Sequence, residues 1–69
     1  MEYTKRIRKI RNEKGFSQEY VAMKMNISQA SYSKIETRAA KCSLETLIRV
    51  AEVLGVTLIQ LLDIHDETS

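Results

Sequence analysis

Residues 28–36 read SQASYSKIE. A serine able to cap a helix opens the stretch, and Ile35 would anchor that helix to a core. The outward positions hold Gln29, Ala30, Ser33 and Lys34, with no acid before Glu36. Glutamine can pair bidentately with adenine, alanine can touch a thymine methyl, and lysine can reach guanine or phosphate. Acids in those places would be repelled by phosphate. The groups needed for catalysis are not assembled. The one histidine, His65, lies near the chain end, and Cys42 has neither a second cysteine nor a histidine nearby. No paired carboxylates, metal-ligand cluster or phosphate-binding glycine loop is visible in the sequence. The expectation is therefore no catalytic residue, no metal and no cofactor, with Cys42 a small residue in a connection.

The charges lean the same way. Residues 1–41 carry ten Lys/Arg against four acids, a surplus of +6, whereas residues 42–69 carry Arg49 against five acids, a balance of −4. A basic end opposite an acidic one fits a polyanion on the basic side; an unevenly charged, solvated surface fits equally at this level. Sixty-nine residues imply one domain, 1–69. A chain this small buries only about 60% of its unfolded surface and must use its apolar residues efficiently. Two glycines, no proline and 43% hydrophobic residues argue against a β-sandwich and against a long linker. No apolar run is long enough to span a bilayer, no apolar leader opens the chain, and a lone cysteine suits a reducing compartment, so a cytoplasmic, membrane-free protein is expected.

Start and stop signals divide the chain into five short helices. The first spans about Tyr3 to Lys14, with Tyr3, Ile7 and Ile10 at helical spacing and Gly15 just past its end. Ser17 caps the second, where Val21, Ala22 and Met25 face inward. Asn26 tolerates the left-handed backbone of a tight turn, Ile27 plugs that turn, and Ser28 caps the third helix, with Tyr32 and Ile35 inward. Residues 37–42 read as a loop without periodicity. Ser43 caps a fourth helix striped by Leu44, Leu47, Ile48, Ala51 and Leu54 and ended by Gly55. Thr57 and Gln60 form a capping-box pattern opening a fifth helix through about Asp63, and residues 64–69 read as a frayed tail. The connection of about three residues between the second and third helices matches a helix-turn-helix over about 17–36, although a plain helical hairpin would also have a short turn. In a helix-turn-helix the second helix enters the DNA major groove, which gives SQASYSKIE a surface to touch.

IRNEKGFSQEYVA, ISQASYSKIE and SLETLIRVAEVLGVTLIQLL, in this order and spacing, resemble the XRE family, the Cro/phage-repressor type of helix-turn-helix domain, over nearly the whole chain. The resemblance implies an all-α, compact five-helix, lambda-repressor-like fold. It implies that Gln18 contacts the DNA backbone, that Gln29 and Ala30 read bases, and that Ser33 and Lys34 make further groove or phosphate contacts. Ser28 and Arg38 complete the expected DNA-binding set. It also implies an ion pair between Arg11 and Glu36 tying the first helix to the third. This sequence departs from the family wording in several places. Asn26 replaces the turn glycine, Thr37-Arg38 replaces a pair that usually supplies a left-handed glycine, and Cys42 replaces a common proline. Ile59 stands where an acid is common. Tyr20 and Met23 are apolar on the expected outer face of the second helix.

The function expected from these features is sequence-specific binding of double-stranded DNA by a transcriptional regulator, a repressor acting as a homodimer on a palindromic operator. The dimer would form through Leu58, Ile59 and Gln60. No ligand or catalytic domain fits within the 69 residues, so regulation would come from abundance, a partner protein or competition at the operator. A second reading is an antitoxin or interaction module that sequesters a protein such as a toxin and autoregulates its operon, with Tyr20, Met23 and Ile59 in the contact surface. An enzyme is rejected. RNA binding lacks the usual exposed aromatic stacking surface.

Overall fold

In the computed structural model, the backbone is described for residues 3–62 and the side chains for 6–39 and 41–62. The side chain of Tyr3, together with Asp63, His65 and the rest of the expected tail, lies outside that description. Five α-helices follow one another: α1 (Tyr3–Glu13), α2 (Gln18–Met25), α3 (Gln29–Thr37), α4 (Leu44–Leu54) and α5 (Leu58–Leu62). A single 3-10 turn, Ala39–Lys41, lies between α3 and α4. No strand occurs among the described residues. α2 packs on α3 and α4, while α1 packs on α3 and α5.

Three of the four helix–helix connections are built by the same chemistry. α1, α2 and α4 are each followed by a residue with positive φ: Gly15 (77°), Asn26 (62°) and Gly55 (74°). The next residue, Phe16, Ile27 or Val56, donates its N–H back to the last turn, to the carbonyls of Arg11, Ala22 and Ala51 at 3.1, 3.0 and 3.0 Å. Orphan carbonyls are thereby satisfied, and the apolar side chain folds onto the core. A capping hydroxyl follows at once. Ser17 Oγ accepts the N–H of Tyr20 at 3.0 Å, and Ser28 Oγ that of Ser31 at 3.1 Å. Thr57 Oγ1 accepts from Gln60 N–H at 3.0 Å while Gln60 Oε1 accepts from Thr57 N–H at 2.9 Å, so the expected capping box is complete.

The fourth connection differs from the sequence expectation. It is not a loop without structure, because the 3-10 turn carries Ala39 into the core at 0% exposure. No left-handed residue is needed there: Arg38 leaves α3 at φ −131°, and its carbonyl accepts the N–H of Lys41 at 2.9 Å. Ser43 then caps α4 through the N–H of Thr46 at 3.2 Å.

The core gathers Ile7 and Ile10 from α1, Val21, Ala22 and Met25 from α2, and Tyr32 from α3, with Leu47, Val50, Ala51 and Leu54 from α4 and Leu61 and Leu62 from α5. Two members of the expected α4 stripe are corrected. Leu44 and Ile48 are 61% and 40% exposed, whereas Val50 is fully buried. Five residues from 44 to 54 cover a wider arc than α4 buries, and the face pressed on its neighbours is centred between Leu47 and Val50. Ile35 is half-buried against the core. One tertiary cap was not expected: the Arg49 guanidinium donates to the Met25 carbonyl at 2.7 Å, placing a cation at the C-terminal end of α2.

The turn between α2 and α3 gives a direct test. Asn26→Ala should lower stability by roughly 1–2 kcal/mol, the cost of holding an ordinary L-residue in the left-handed region, while Asn26→Gly should melt with the parent. Equal losses in the two variants would show that the asparagine side chain, not its backbone conformation, holds the turn.

Candidate nucleic-acid interface

The capped start of α3 decides which residues face outward. With Ser28 as cap, Tyr32 and Glu36 stand four residues apart on the inner side and are fully buried. Ala30 and Lys34 stand exposed on the opposite side; Gln29, exposed in the first turn, lies on the stripe of Glu36 seven residues later, and Ser33 is half-buried between the two. These candidate contacts occupy one accessible arc of the helix, and the one acid of α3, Glu36, is buried at its edge. Ser28 is exposed, and its hydroxyl is occupied by the cap and by donation to Ser31 Oγ at 3.0 Å. Arg38 is exposed at the far end of α3, next to Lys41 on the following turn. An open cleft lined by Glu19, Met23, Ser28 and Gln29 runs along the α2 side of this face.

Behind the face lies a buried polar cluster. The expected partnership of Arg11 and Glu36 has this geometry: Arg11 Nε donates to Glu36 Oε2, and Arg11 Nη2 donates to Oε1 at 3.4 Å. Arg11 falls on the same stripe of α1 as Ile7, four residues earlier, which is why a guanidinium ends inside the domain at 9% exposure. Its Nη1 also donates to the Phe16 carbonyl at 2.8 Å, tying the pair to the connection after α1. Three partners of Glu36, counting Gln18 below, were not read from the sequence. The Tyr32 hydroxyl donates to Glu36 Oε2 at 2.7 Å, and the exposed Arg8 guanidinium approaches Oε1 at 3.7 Å. The available signal was spacing: Tyr32 precedes Glu36 by four residues, a helix turn that brings side chains together.

Gln18 occupies an unexpected position. Its Nε2 donates to Glu36 Oε1 at 3.0 Å, and its Oε1 accepts from Gln29 Nε2 at 3.5 Å. The residue expected at the DNA backbone is thus also joined to the buried carboxylate and to the first residue of α3. Burial by itself would raise the Glu36 carboxyl; the hydrogen bonds from Arg11, Tyr32 and Gln18 outweigh it and hold the group below its ordinary value. The hydrogen bond to Glu36 raises Arg11 further. Burial and the bond to Glu36 raise the Tyr32 phenol well above its ordinary value of 10.0. Burial raises the Cys42 thiol, which keeps it protonated.

The expected dimer residues are spread differently. Ile59 is 62% exposed. Leu58 is packed against the core, and the Gln60 side chain is turned back into the capping box. The Gln60 carbonyl accepts from Arg6 Nε at 3.1 Å, fastening α5 to α1. Tyr20 and Met23 are exposed on α2, at 37% and 62%. Tyr20 packs against Phe16 with the rings tilted by 42° and their centroids 4.7 Å apart. Among the described residues no three His, Cys, Asp or Glu side chains are grouped to hold a metal, and no helix is long and apolar enough to cross a membrane.

Known proteins resemble this sequence. The helix-turn-helix family model matches residues 7–61. The HTH-type transcriptional regulator RamB of Mycobacterium tuberculosis, in strains CDC 1551 / Oshkosh and ATCC 25618 / H37Rv, is 39% identical over 51 residues, covering 74% of this chain and 11% of RamB. An uncharacterized HTH-type transcriptional regulator derived from the SPbeta prophage, YonR of Bacillus subtilis strain 168, is 35% identical over 55 residues, covering 80% of this chain and 51% of YonR. The chain thus spans about a tenth of one relative's length and about half of the other's. No solved structure matches significantly.

The cluster sets the expected pH response. A carboxyl lowered on folding stabilises the fold above its ordinary value, 4.5, and that contribution is lost as pH falls through the lower folded value. A phenol raised on folding contributes below 10.0 and loses that contribution as pH rises. Tyr32→Phe should cost roughly 1.5–3 kcal/mol at neutral pH, the value of a hydrogen bond to a charged group. Its deficit should narrow above pH 10.0, where only the parent must keep a phenol protonated. Arg11→Ala, which strands a buried carboxylate, should cost more, roughly 3–5 kcal/mol. Denaturant melts across pH check both, and a Tyr32→Phe deficit that stays constant through the alkaline range would refute the phenol's part.

Proposed function

The chain belongs to the XRE-type helix-turn-helix family, and from that premise we infer that it is a sequence-specific DNA-binding transcriptional regulator, a repressor that holds a palindromic operator as a homodimer. The observation that carries this reading is the outer face of α3. Gln29, Ala30 and Lys34 stand exposed there with Ser33 between them, on a helix anchored from behind by buried Tyr32 and Glu36. Gln29 and Ala30 contact bases, Ser33 and Lys34 contact base edges or phosphate, and Ser28 sets the positive end of α3 toward the duplex. Arg38 adds charge at the other end, and Gln18 holds the flanking phosphate. Ile59, 62% exposed on α5, forms the centre of a two-fold contact. Leu58 packs beneath it, and Gln60 belongs to the cap that orders the helix. Two copies of α3 would then lie about 34–36 Å apart, one turn of DNA.

A second reading has its own support. Met23 and Ile59 are each 62% exposed, and Tyr20 lies beside Met23 on α2. An antitoxin that buries these side chains against a toxin would account for them, and co-purification with a neighbouring gene product would favour it.

Selection of bound fragments from a random DNA pool should recover a palindrome. On that operator Gln29→Ala should cost roughly 1–3 kcal/mol and relax preference at one base pair, whereas loss of a lysine–phosphate contact should weaken all sequences alike and lower the salt slope by about one unit. If Gln29→Ala leaves affinity and preference intact, α3 is not the reading helix. Ile59→Asp should remain folded and lose cooperative binding; binding as tight and cooperative as the parent's would move the dimer contact elsewhere.

A further inference from the structure

The polar cluster around Glu36 holds more positive charge than the burial of one carboxylate requires. Glu36 and Arg11 cancel one another. All three Arg11 nitrogens already donate inside the domain, Nε and Nη2 to Glu36 and Nη1 to the Phe16 carbonyl. At 9% exposure Arg11 has little left to offer a ligand. Tyr32 and Gln18 complete the donors of the carboxylate without adding charge. Arg8, one turn before Arg11 on α1, is a second cation at the same place. Its Nε stops 3.7 Å from Glu36 Oε1, beyond hydrogen-bond length, and its side chain is 55% exposed. The carboxylate is satisfied by its other partners, so Arg8, Arg11 and Glu36 together leave one positive charge at the surface.

Gln18 Nε2 lies 3.0 Å from that same Oε1, so the donors of Arg8 and Gln18 converge on one oxygen atom. The Gln18 amide nitrogen carries two N–H groups; one serves Glu36 and the other remains for a ligand. We propose that Arg8 and Gln18 form the seat of one DNA phosphate, at which Arg8 supplies the charge. The proposal rests on the reading of the chain as a DNA-binding protein with Gln18 at the flanking phosphate, and it extends that interface to α1. Two oxygens of one phosphate, each about 2.9 Å from its donor, suit two nitrogens this close together. Charge is what Gln18 lacks. A phosphate drawn to Gln18 alone would meet a neutral amide backed by a carboxylate that Arg11 only just offsets, and Arg8 turns that approach into an attractive one. Little is lost when Arg8 leaves Glu36, because an ion pair this long and this exposed contributes little. A guanidinium suits the task, since two of its N–H groups can grip two phosphate oxygens at once.

Binding to the operator recovered from the random pool, measured over a range of salt, tests this. Thermal melts confirm that each variant is folded at the assay temperature. Arg8→Gln should lower the salt slope by about 0.9, the value of one neutralised phosphate, so that the parent's advantage shrinks about 3.5-fold between roughly 50 and 200 mM salt. Arg8→Lys should restore the slope. The ratio of affinities for the operator and its single-base variants should stay at the parent's value in Arg8→Gln, because a phosphate contact carries no sequence information. Gln18→Met should weaken binding with the slope unchanged, and the double variant should lose less than the product of the two single losses, since both donors hold one phosphate. Replacing operator phosphates singly by uncharged methylphosphonates should find a position that weakens the parent and leaves Arg8→Gln unaffected. An unchanged slope in folded Arg8→Gln, a slope that Arg8→Lys fails to restore, independent losses in the double variant, or a scan with no such position overturns the proposal and leaves the DNA-binding reading standing. A parent that selects no sequence, or whose preference survives Gln29→Ala, overturns both.

Discussion

Burying the Glu36 carboxylate at 0% exposure is unfavourable unless donors replace the water it loses. Arg11 from α1, Gln18 from α2 and Tyr32 from α3 itself supply them, and no buried side-chain nitrogen or oxygen among the described residues lacks a partner. The consequence is geometric more than energetic. A buried ion pair adds little over an apolar contact of equal volume, but losing one partner is severe. In a domain of this size, with total stability on the order of 5–15 kcal/mol, α1, α2 and α3 are held to an arrangement in which all three donors reach one carboxylate. The last turn of α3 is thus fixed from inside, and its outer face is presented at a defined angle.

The first turn of α3 is fixed by different means. Asn26, Ile27 and Ser28 repeat the sequence of roles found at Gly15-Phe16-Ser17 and Gly55-Val56-Thr57: a left-handed residue, an apolar plug and a hydroxyl cap. These connectors were legible because their chemistry is local, each group acting on backbone within a few residues. What escaped the sequence depends on distant partners. Nothing near Arg49 indicates that its guanidinium will cap α2 across the domain. Ala39 lies in a segment with no periodicity and is buried only because α1 and α3 close over it. Leu44 and Ile48 fit a helical stripe, yet α4 turns a narrower arc inward and leaves them exposed.

The candidate site shows the same division. The exposure of Ala30 and Lys34 follows from the position of Ser28 and the helical period, both readable in the sequence; Gln29, on the stripe of Glu36, is exposed at the helix start. The pairing of Arg11 with Glu36 came from likeness to a family, since two charges 25 residues apart carry no local signal. The phenol of Tyr32 looked like part of the core because the ring is; its hydroxyl is the polar end of an amphipathic side chain and needs a partner once buried. Gln18 was expected only at the DNA backbone, and its link to Glu36 and Gln29 was not legible, because an amide two-sided in its chemistry can serve the interior and the surface together.

On the proposed reading of α3 as the helix that meets DNA, recognition and grip make different demands and separate along its length. Its N-terminal half presents an amide, a methyl and a hydroxyl, groups whose value lies in direction, and direction is what caps and hydrogen bonds can set. Its C-terminal end and the turn beyond present Lys34, Arg38 and Lys41, exposed cations whose value lies in charge and that tolerate mobile side chains. The count of basic residues in the first 41 positions does not show this division. Arg11 is cancelled by Glu36 inside the domain, and Arg6 is fastened to the Gln60 carbonyl of α5. Salt dependence follows the number of phosphates neutralised rather than net charge, so under the proposed function the cations near α3 would matter more than the overall surplus. A small domain with few residues to spare can thus keep its charged contacts loose, provided the uncharged ones are held from within.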